Sequence, residues 1–345
     1  MLVAFVNKLE NNEKVTNKEE KLMIKVLALL QRKSKKALEK AKKLILSERI
    51  ESKRAREALQ YYVKNWNDTT HPGILGLACE AVGGNLRIAE PMQIVTLYLA
   101  ASADLHDDII DNSTFKNGKP TVFGKYGKDI TMLLGNAMLI KGFTLLYDYS
   151  KKLESEKFEK IVQTIKDELF ELGNAHLLEV ELRSINVPPP EQYMKILRKK
   201  ASSIRINTKI GAIIGGGSST DIKKLERYGE ILGILIGLRE EFIDIFEPEE
   251  LRNRIKNEIL PLPLLLTIKD QKTKNEVLQI LSKPKISEED VQKIVDHVFQ
   301  NNDVKKLKRY MQDLRNKALA IVNEIKDKKA RDELRLIING SLEDL

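Results

Sequence analysis

The sequence predicts an all-α protein, a single large helical bundle around a central cavity. Long segments such as KLMIKVLALL and KFEKIVQTIKDELFELGNAHLLEVELRS repeat apolar residues every three or four positions, which is the period of one helix face. Alternating patterns typical of strands are scarce, and no long Ser- or Gly-rich linker divides the chain. With 345 residues, of which 42% are hydrophobic, the chain can bury a large core.

The helical segments follow one another with clear breaks between them. We expect residues 1–60 to form a basic helical segment packed on the bundle, and residues 61–345 to form the main domain. The long core helices are predicted at PMQIVTLYLAASADLHDDIID, TMLLGNAMLIKGFTLLYDY, KFEKIVQTIKDELFELGNAHLLEVELRS and YGEILGILIGLREEFIDIF. The breaks are predicted at NGKPT, INVPPPEQ, IGGGSSTD and SKPKISEED, because Gly, Pro and a capping Ser end or begin helices.

The composition excludes several classes of protein. Lys and Arg exceed the acids by 59 to 50, which suits an anionic ligand or surface, but no aromatic-interleaved basic motif indicates nucleic-acid binding. The single cysteine, Cys79, lies in an apolar run and is expected to be buried. The apolar part of MLVAFVNKLENNEK is too short for a signal peptide, so we expect a soluble, cytoplasmic protein. The basic face of residues 21–60 is either a solvated surface or a peripheral contact with an anionic membrane.

An acidic cluster stands in the stretch HDDIIDNSTFKNGKPT. Asp107 and Asp111 lie four residues apart on one helical face, with Asp108 about 100° round the helix. Carboxylates this close repel one another. Mg²⁺ resolves the repulsion, because it takes oxygen ligands and commonly bridges carboxylates to substrate phosphates. The pattern DDxxD alone is also compatible with an ordinary acidic helix face.

A second cluster strengthens the metal hypothesis. The segment LREEFIDIFEPEE places Glu240 and Asp244 on one helical face, with Glu241 adjacent. Two acidic helices that face each other across a bundle can hold several Mg²⁺ ions and one diphosphate between them.

These blocks resemble the trans-isoprenyl diphosphate synthases, the polyprenyl synthetase family. The resemblance runs from about residue 60 to the C-terminus. HPGILGLACEAVGGN is similar to the family's RPLLVLLAAEALGGD, HDDIIDNSTFKNGKPTVFGKYG to HDDIIDNSxxRRGKPTxHxxYG, and LLGNAMLIKGFTLL to LAGDALLxxAFxLL. The blocks keep the family's order and spacing, so we expect the family's fold.

The resemblance implies an enzyme that ionises an allylic prenyl diphosphate with three Mg²⁺ ions, inside an apolar tunnel that excludes water. A second pocket in the family holds isopentenyl diphosphate, whose double bond attacks the carbocation. The second motif has glutamates where the family usually has aspartates. Carried over position by position, the expected metal ligands are Asp107, Asp108, Asp111, Glu240, Glu241 and Asp244, and the expected diphosphate-binding lysines are Lys116, Lys200 and Lys256.

The chain departs from the family at the isopentenyl pocket. Where the family has GGKRLRP, this chain has WNDTTHP, so that a lysine becomes Asp68 and an arginine becomes His71. The second arginine of RRG becomes Asn117. Three cations expected on one diphosphate are absent, and at about 1.5–3 kcal/mol each this implies a loss of roughly 4–9 kcal/mol. We therefore expect the usual acceptor not to bind normally.

The helix that carries the first motif has further residues that point to function. Asp104 stands where the family usually has an apolar residue. Its carboxylate has two interpretations: it acts near the carbocation as a base, an extra metal ligand or a dipole, or it is an acid paired with a neighbouring Lys or Arg. Ser102 and Ala103 are small where bulk limits chain length in the family, and Tyr98, one turn deeper, is a candidate floor. His106 matches a family histidine, for which we expect a structural hydrogen bond.

Three hypotheses remain. The chain ionises an allylic diphosphate and the cation is cyclised, quenched or captured by an acceptor other than isopentenyl diphosphate. Alternatively, it is an ordinary chain-elongating prenyltransferase with a substituted acceptor pocket. In the third, it is a non-catalytic subunit of a heteromeric synthase, which the retention of DDIID and Lys200 argues against. The family implies a homodimer, and a heteromer is the alternative.

Overall fold

Helices build almost the whole of the computed structural model, which describes residues 18–116, 118–185, 187–269, 271–283 and 286–342. The all-α prediction is confirmed. In these ranges the helices are α1 Lys18–Leu46, α2 Lys53–Asn65, α3 Thr70–Ala81, α4 Leu86–Ile110, α5 Val122–Tyr126, α6 Lys128–Ser150, α7 Ser155–Leu182, α8 Pro190–Lys200, α9 Ser202–Ile214, α10 Ser219–Phe246, α11 Pro248–Asn257, α12 Leu262–Thr267, α13 Gln271–Leu281, α14 Glu288–Gln300, α15 Asn302–Asn323 and α16 Lys328–Gly340.

A short antiparallel ribbon occupies the predicted break at NGKPT. Strands β1 (Phe115–Lys116) and β2 (Lys119–Pro120) pair so that Lys116 lies opposite Lys119. Gly118, between them, has a φ of +70°, a conformation that side chains disfavour and glycine adopts freely. The ribbon follows α4 directly and brings Lys116 back towards the acids of that helix.

Side-chain caps fix the starts of the two helices that carry the acidic motifs. Asn85 accepts hydrogen bonds from the backbone N–H groups of Arg87 and Ile88 at the start of α4. Ser218 and Asp221 form a reciprocal capping box at the start of α10. The predicted break IGGGSSTD therefore ends one core helix and begins the next.

The core surrounds α9, which packs directly on α3, α4 and α10, and α3 also packs on α4. Tyr228 and Phe242 of α10 are fully buried. On α9, a Cβ added to Gly211 would lie 2.3 Å from the carbonyl oxygen of Leu75 in α3, so only glycine permits this close helix contact. Cys79 is buried, as predicted, and burial raises the pKa of its thiol to about 12.

The described part of the predicted segment 1–60 lies against the bundle. Lys33 of α1 is buried, with its ammonium 2.6 Å from Glu80 and 2.7 Å from Glu333. Lys36 and Lys40 both pair with Glu90 on α4. Part of the basic face thus pairs with protein carboxylates, although only Lys33 is buried and Lys36 and Lys40 stay exposed to solvent.

Two helices present apolar side chains to solvent. On α6 the exposed residues include Leu133, Ile140 and Tyr147, and on α7 Phe170 and Leu177, each set spaced by seven residues. By length and composition α6 could also span a membrane, a test that core helices pass as well; one third of its most apolar window is buried.

Candidate active site

The first acidic motif occupies the last turns of α4 and its C-terminal cap. Asp107 and Asp108 lie inside the helix, and Asp111 is the capping residue, whose N–H donates to the carbonyl of Asp107 at 2.8 Å. Asp108 and Asp111 are buried, and one carboxylate oxygen of Asp107 is also buried. Burying these carboxylates without a full set of hydrogen-bond donors costs free energy.

Lys116 is the cation of the β ribbon that reaches this motif. Its ammonium lies 2.6 Å from Asp108 and 3.4 Å from Asp104. Burial would lower the pKa of Lys116, but the charges of Asp104 and Asp108 outweigh burial and raise it. Asp104 is mostly exposed and pairs with Lys116, which is the ion-pair alternative given above for this residue.

Helix α7 contributes residues that the sequence analysis missed. Arg183 donates to the carboxylate of Asp111 and, at 2.9 Å, to the carbonyl of Ile110. His176 Nδ1 lies 3.2 Å from Asp107 Oδ1. Glu179 is buried beside them, 2.6 Å from the ammonium of Lys200. The sequence carried a signal for these residues, because 176, 179 and 183 are spaced by three and four in an otherwise apolar stretch.

In the second motif, Glu241 is fully engaged by protein. Its carboxylate accepts from Tyr193 and Arg254, each at 2.8 Å, and from the backbone N–H of Leu262 at 2.7 Å. Arg254 also donates to the Tyr193 hydroxyl and lies 3.2 Å from Asp244. The sequence predicted Glu241 as a metal ligand equal to Glu240; with both oxygens hydrogen-bonded, its contacts instead indicate that it positions α11 and α12 against α10.

Glu240 and Asp244 remain the second motif's available carboxylates. Glu240 is exposed, and Asp244 is half-buried. Burial raises the pKa of Asp244 to about 8 against the opposing charge of Arg254. Lys256, predicted to bind diphosphate, is exposed and makes no ion pair with any residue the structure describes. The cation that reaches the second motif is Arg254, two residues earlier, which the loose match of NRIKNEILPLP did not reveal.

The two motifs converge, because they share their cations. The charges of Lys116 and Lys200 act on the pKa of Asp107 in the first motif and on that of Glu240 in the second. Asn112, which follows the first motif, lies at 3.5 Å from Asn257 at the end of α11. That both acidic helices face one site stays a prediction, which these shared charges and this contact support.

The converging carboxylates hold their protons more tightly than isolated acids. Burial raises the pKa of Asp108 to about 6 and that of Glu258 to about 7. Burial also raises the pKa of Asp107, and the neighbouring charge of Asp111 adds to the effect. A site of this kind gains by binding cations, because the cation replaces protons that burial would otherwise retain.

The residues fit magnesium bound together with a diphosphate. The buried oxygen Asp107 Oδ1 has no hydrogen-bond donor, and the buried oxygens of Asp108 and Glu179 each have one lysine ammonium at 2.6 Å. Over the ranges that the structure describes, no three His, Cys, Asp or Glu side chains already form a metal-binding group. Mg²⁺ usually takes one or two protein carboxylates and completes its shell with water and phosphate oxygens, so the carboxylates of Asp107 and Asp108 together with a diphosphate meet its requirement.

Asp68 and His71, which we call the acceptor pair, lie at the start of α3. Asp68 accepts the N–H groups of Thr70 and His71 at 3.0 and 3.2 Å, and the His71 ring nitrogen Nδ1 at 2.8 Å. The charges of Asp104 and Glu240 also act on His71 and, with Asp68, raise its pKa although burial opposes this. The acceptor pair therefore faces the acidic site. Asn117, the third predicted position, lies outside the described residues.

The predicted chain-length residues divide between core and site. Tyr98 is fully buried, and its hydroxyl donates to the carbonyl of Ala41 at 2.6 Å. Tyr98 thus belongs to the packed interface between α1 and α4 and does not form the end of an open channel. Its hydrogen bond to Ala41 is expected, because a buried hydroxyl needs a partner. Ser102 is also buried, and Ala103 is half-buried. His106 packs against Gly135 of α6, where a Cβ would lie 2.5 Å from its Nε2.

Known proteins share this sequence and this fold. The family model described as polyprenyl synthetase matches residues 52–298, and the chain belongs to that family. It is 28% identical over 203 residues to a geranylgeranyl diphosphate synthase of Methanosarcina mazei, covering 58% of this chain and 61% of that protein. It is 26% identical over 229 residues to a short chain isoprenyl diphosphate synthase of Methanothermobacter thermautotrophicus, covering 66% of this chain and 69% of that one. The matched region thus spans about two thirds of these relatives' lengths.

A solved structure extends the likeness to nearly the whole fold. The geranylgeranyl pyrophosphate synthetase of Pyrococcus horikoshii superposes with a TM-score of 0.81, covering 94% of this chain and 99% of that one at 22% identity. At this identity the superposition shows the fold, which is the helical bundle predicted from the sequence.

Proposed function

We propose that this protein is a Mg²⁺-dependent prenyl diphosphate synthase, which transfers an allylic prenyl group to isopentenyl diphosphate. The observation that carries the proposal is that the charges of Lys116 and Lys200 act on both Asp107 and Glu240, while a buried oxygen of Asp107 has no hydrogen-bond donor. The family membership and the synthases named above support chain elongation over the other outcomes. The prenyl chain length is not part of the proposal.

The side chains of this site have distinct tasks in the proposed reaction. Mg²⁺ held by Asp107, Asp108, Asp111, Glu240 and Asp244 would neutralise the diphosphate as it leaves. Lys116 and Lys200 bind the diphosphate oxygens and stabilise the charge that builds up when the allylic carbon–oxygen bond breaks. Arg183 and Arg254 hold Asp111 and Asp244 in place. The apolar walls of the bundle exclude water from the carbocation.

The acceptor pair favours a second candidate function. A carboxylate stands where the family has a lysine, and Asp68 engages the His71 ring at 2.8 Å, so that His71 is partnered by the protein itself. A diphosphate acceptor then binds weakly, and the carbocation is cyclised, quenched or captured by a different acceptor. The two functions share the ionisation step and differ only in what consumes the cation.

We also propose that the chain acts as a homodimer in the cytoplasm. The exposed stripes on α6 and α7 support this, because apolar residues repeated every seven positions on an exposed helix face suit burial against another helix. A heteromer is the alternative. Sedimentation of the purified protein tests the dimer, and a monomer at micromolar concentration would contradict it.

The decisive experiment incubates the purified protein with Mg²⁺ and geranyl, farnesyl or geranylgeranyl diphosphate, with and without isopentenyl diphosphate. We expect longer prenyl diphosphates only when isopentenyl diphosphate is present. Diphosphate release without it, and no elongation with it, would establish the second candidate instead. Inertness that a partner protein rescues would indicate a subunit of a heteromeric synthase.

The matched variants are Asp107→Ala and Asp148→Ala. We expect the first to lower the turnover number by about a thousandfold, because it removes several kcal/mol of metal-assisted stabilisation of the leaving group. Asp148 pairs with Lys151 at the surface, so its removal should leave turnover unchanged. Retention of more than about a tenth of turnover in Asp107→Ala would contradict the proposed site.

A further inference from the structure

We propose that His176 supplies a nitrogen ligand to a divalent metal ion bound by Asp107, so that this site favours first-row transition metals over Mg²⁺. The inference rests on the proposed function, since it concerns the same site, and it assigns a ligand outside both acidic motifs. The four histidines of the chain are His71, His106, His176 and His297. Only His176 contacts a carboxylate of the first motif among the described residues.

Two buried atoms meet at this point without an aligned hydrogen bond. His176 Nδ1 lies 3.2 Å from Asp107 Oδ1, and both atoms are buried and lack an aligned hydrogen-bond partner. Glu179 Oε2 lies 3.9 Å from the same nitrogen but is paired with the ammonium of Lys200 at 2.6 Å. Buried polar atoms in proteins are nearly always satisfied, so the two unsatisfied atoms indicate that a ligand outside the chain completes them.

The other histidine–carboxylate contact near the site shows what a structural pair looks like. His71 Nδ1 forms an aligned hydrogen bond with Asp68 at 2.8 Å, and two backbone N–H groups satisfy the same carboxylate. His176 and Asp107 are as close as an ion pair but do not align. Both atoms therefore keep a lone pair available for a shared cation.

The chemistry of the donors decides the preferred ion. Mg²⁺ is a hard cation that takes oxygen ligands, whereas imidazole nitrogen suits the later first-row divalent metals. Lys200 already neutralises Glu179, from 2.6 Å. The inner donors are therefore the Asp107 oxygen and the His176 nitrogen, and a bound diphosphate with water provides the rest. Because later first-row divalent metals bind most sets of ligands more tightly than Mg²⁺ does, the contribution of the imidazole is the part of the Co²⁺ preference that is lost with His176.

The test uses Co²⁺ and Mg²⁺, each titrated into the full-length protein with inorganic diphosphate and followed by calorimetry. The Co²⁺-loaded protein is then examined by proton NMR, in which the remaining ring N–H of a ligating imidazole shifts far outside the usual range. We expect one such exchangeable signal in the wild-type protein.

The variant is His176→Asn, which keeps a polar group near the Nδ1 position but removes the imidazole. We expect Co²⁺ affinity to fall by about tenfold or more, with loss of the shifted signal, while Mg²⁺ affinity changes by less than about twofold. The control is His297→Asn, because His297 contacts Glu276 at the same distance of 3.2 Å but on the outer helices α14 and α13. It should leave both affinities and the signal unchanged.

Three results would overturn the inference. They are a wild-type protein that binds Co²⁺ without a shifted imidazole signal, equal losses of Co²⁺ and Mg²⁺ affinity in His176→Asn, and Mg²⁺ binding at least as tight as Co²⁺ binding. All three leave the proposed function intact. Failure of the wild-type protein to bind either ion with diphosphate would contradict the proposed function as well.

Discussion

Carboxylates on the two sides of the candidate site behave in opposite ways. On the side of the acidic motifs, burial raises the pKa of Asp108 to about 6 and that of Asp244 to about 8. In the acceptor pair, burial also disfavours charge on Asp68, but His71 and the backbone N–H groups of Thr70 and His71 outweigh it and lower the pKa of Asp68. The residue type is the same on Asp108 and Asp68, and only the supply of donors differs.

This difference separates two kinds of acidic residue. Asp68 is satisfied by the chain itself, so it has no need of a cation from outside and acts as a cap for α3. Asp107 and Asp108 have fewer donors around their buried oxygens, which supports the proposed metal binding. A count of charges in the sequence would treat both sides alike, whereas the structure separates a carboxylate satisfied by backbone N–H groups from carboxylates whose pKa burial raises.

The largest expected effect concerns Glu241, the motif acid whose oxygens, like those of Asp68, are hydrogen-bonded by the protein itself. Replacing Arg254 by methionine leaves Glu241 buried without its charged partner, and removal of one member of a buried ion pair costs about 3–5 kcal/mol. Chemical denaturation should show this loss in the free energy of unfolding. The control is Arg198→Met. Arg198 is an exposed residue of α8 that contacts Tyr310, so its replacement should cost less than about 0.5 kcal/mol. Equal costs would show that Glu241 is not held as described.

The second prediction reverses the charge of the acceptor side. Asp68→Lys combined with His71→Arg and Asn117→Arg should lower the KM for isopentenyl diphosphate by about tenfold or more, since each charge-assisted contact contributes about 1.5–3 kcal/mol. The KM for the allylic substrate serves as the control and should stay constant. An unchanged KM for isopentenyl diphosphate would show that the acceptor pair is not in that pocket.

The third prediction is a pH dependence of stability. A carboxyl whose pKa is higher in the folded than in the unfolded protein stabilises the fold fully below its unfolded pKa, and this contribution is lost as pH rises through the folded pKa. Asp108, Glu258 and Asp244, at about 6, 7 and 8, should therefore lower the melting temperature of the metal-free protein by several degrees between pH 5 and about pH 8. Calorimetry with Mg²⁺ and diphosphate should show a smaller decline. A melting temperature that rises over this interval would contradict the sign.

The smallest expected effect concerns Tyr98, which belongs neither to the acidic motifs nor to the acceptor pair. Tyr98→Phe removes a buried hydrogen bond to Ala41 and should cost about 1 kcal/mol of unfolding free energy. The chain length of the product should not change, because the ring still fills the core between α1 and α4. A longer product from this variant would restore Tyr98 as the floor of the prenyl channel.

The sequence was sufficient to predict the class of fold and the first acidic motif. Apolar residues at helical spacing define α4 and α10, and the spacing of Asp107, Asp108 and Asp111 places them at one helix end regardless of what packs around them. The order of the blocks identified the family. Arg183 and His176 were missed because a polar residue on a helix face has no partner until another helix is placed against it.

Only the tertiary structure distinguished Glu240 from Glu241, which are adjacent in the sequence and chemically identical. Glu241 meets Tyr193 of α8, Arg254 of α11 and the N–H of Leu262 at the start of α12, all from elements distant along the chain, while Glu240 is left exposed. Helical periodicity depends on neighbours a few residues away, so the sequence determined it. Whether a carboxylate is satisfied depends on donors brought from remote helices, so packing alone decided which acids remain available for a metal ion.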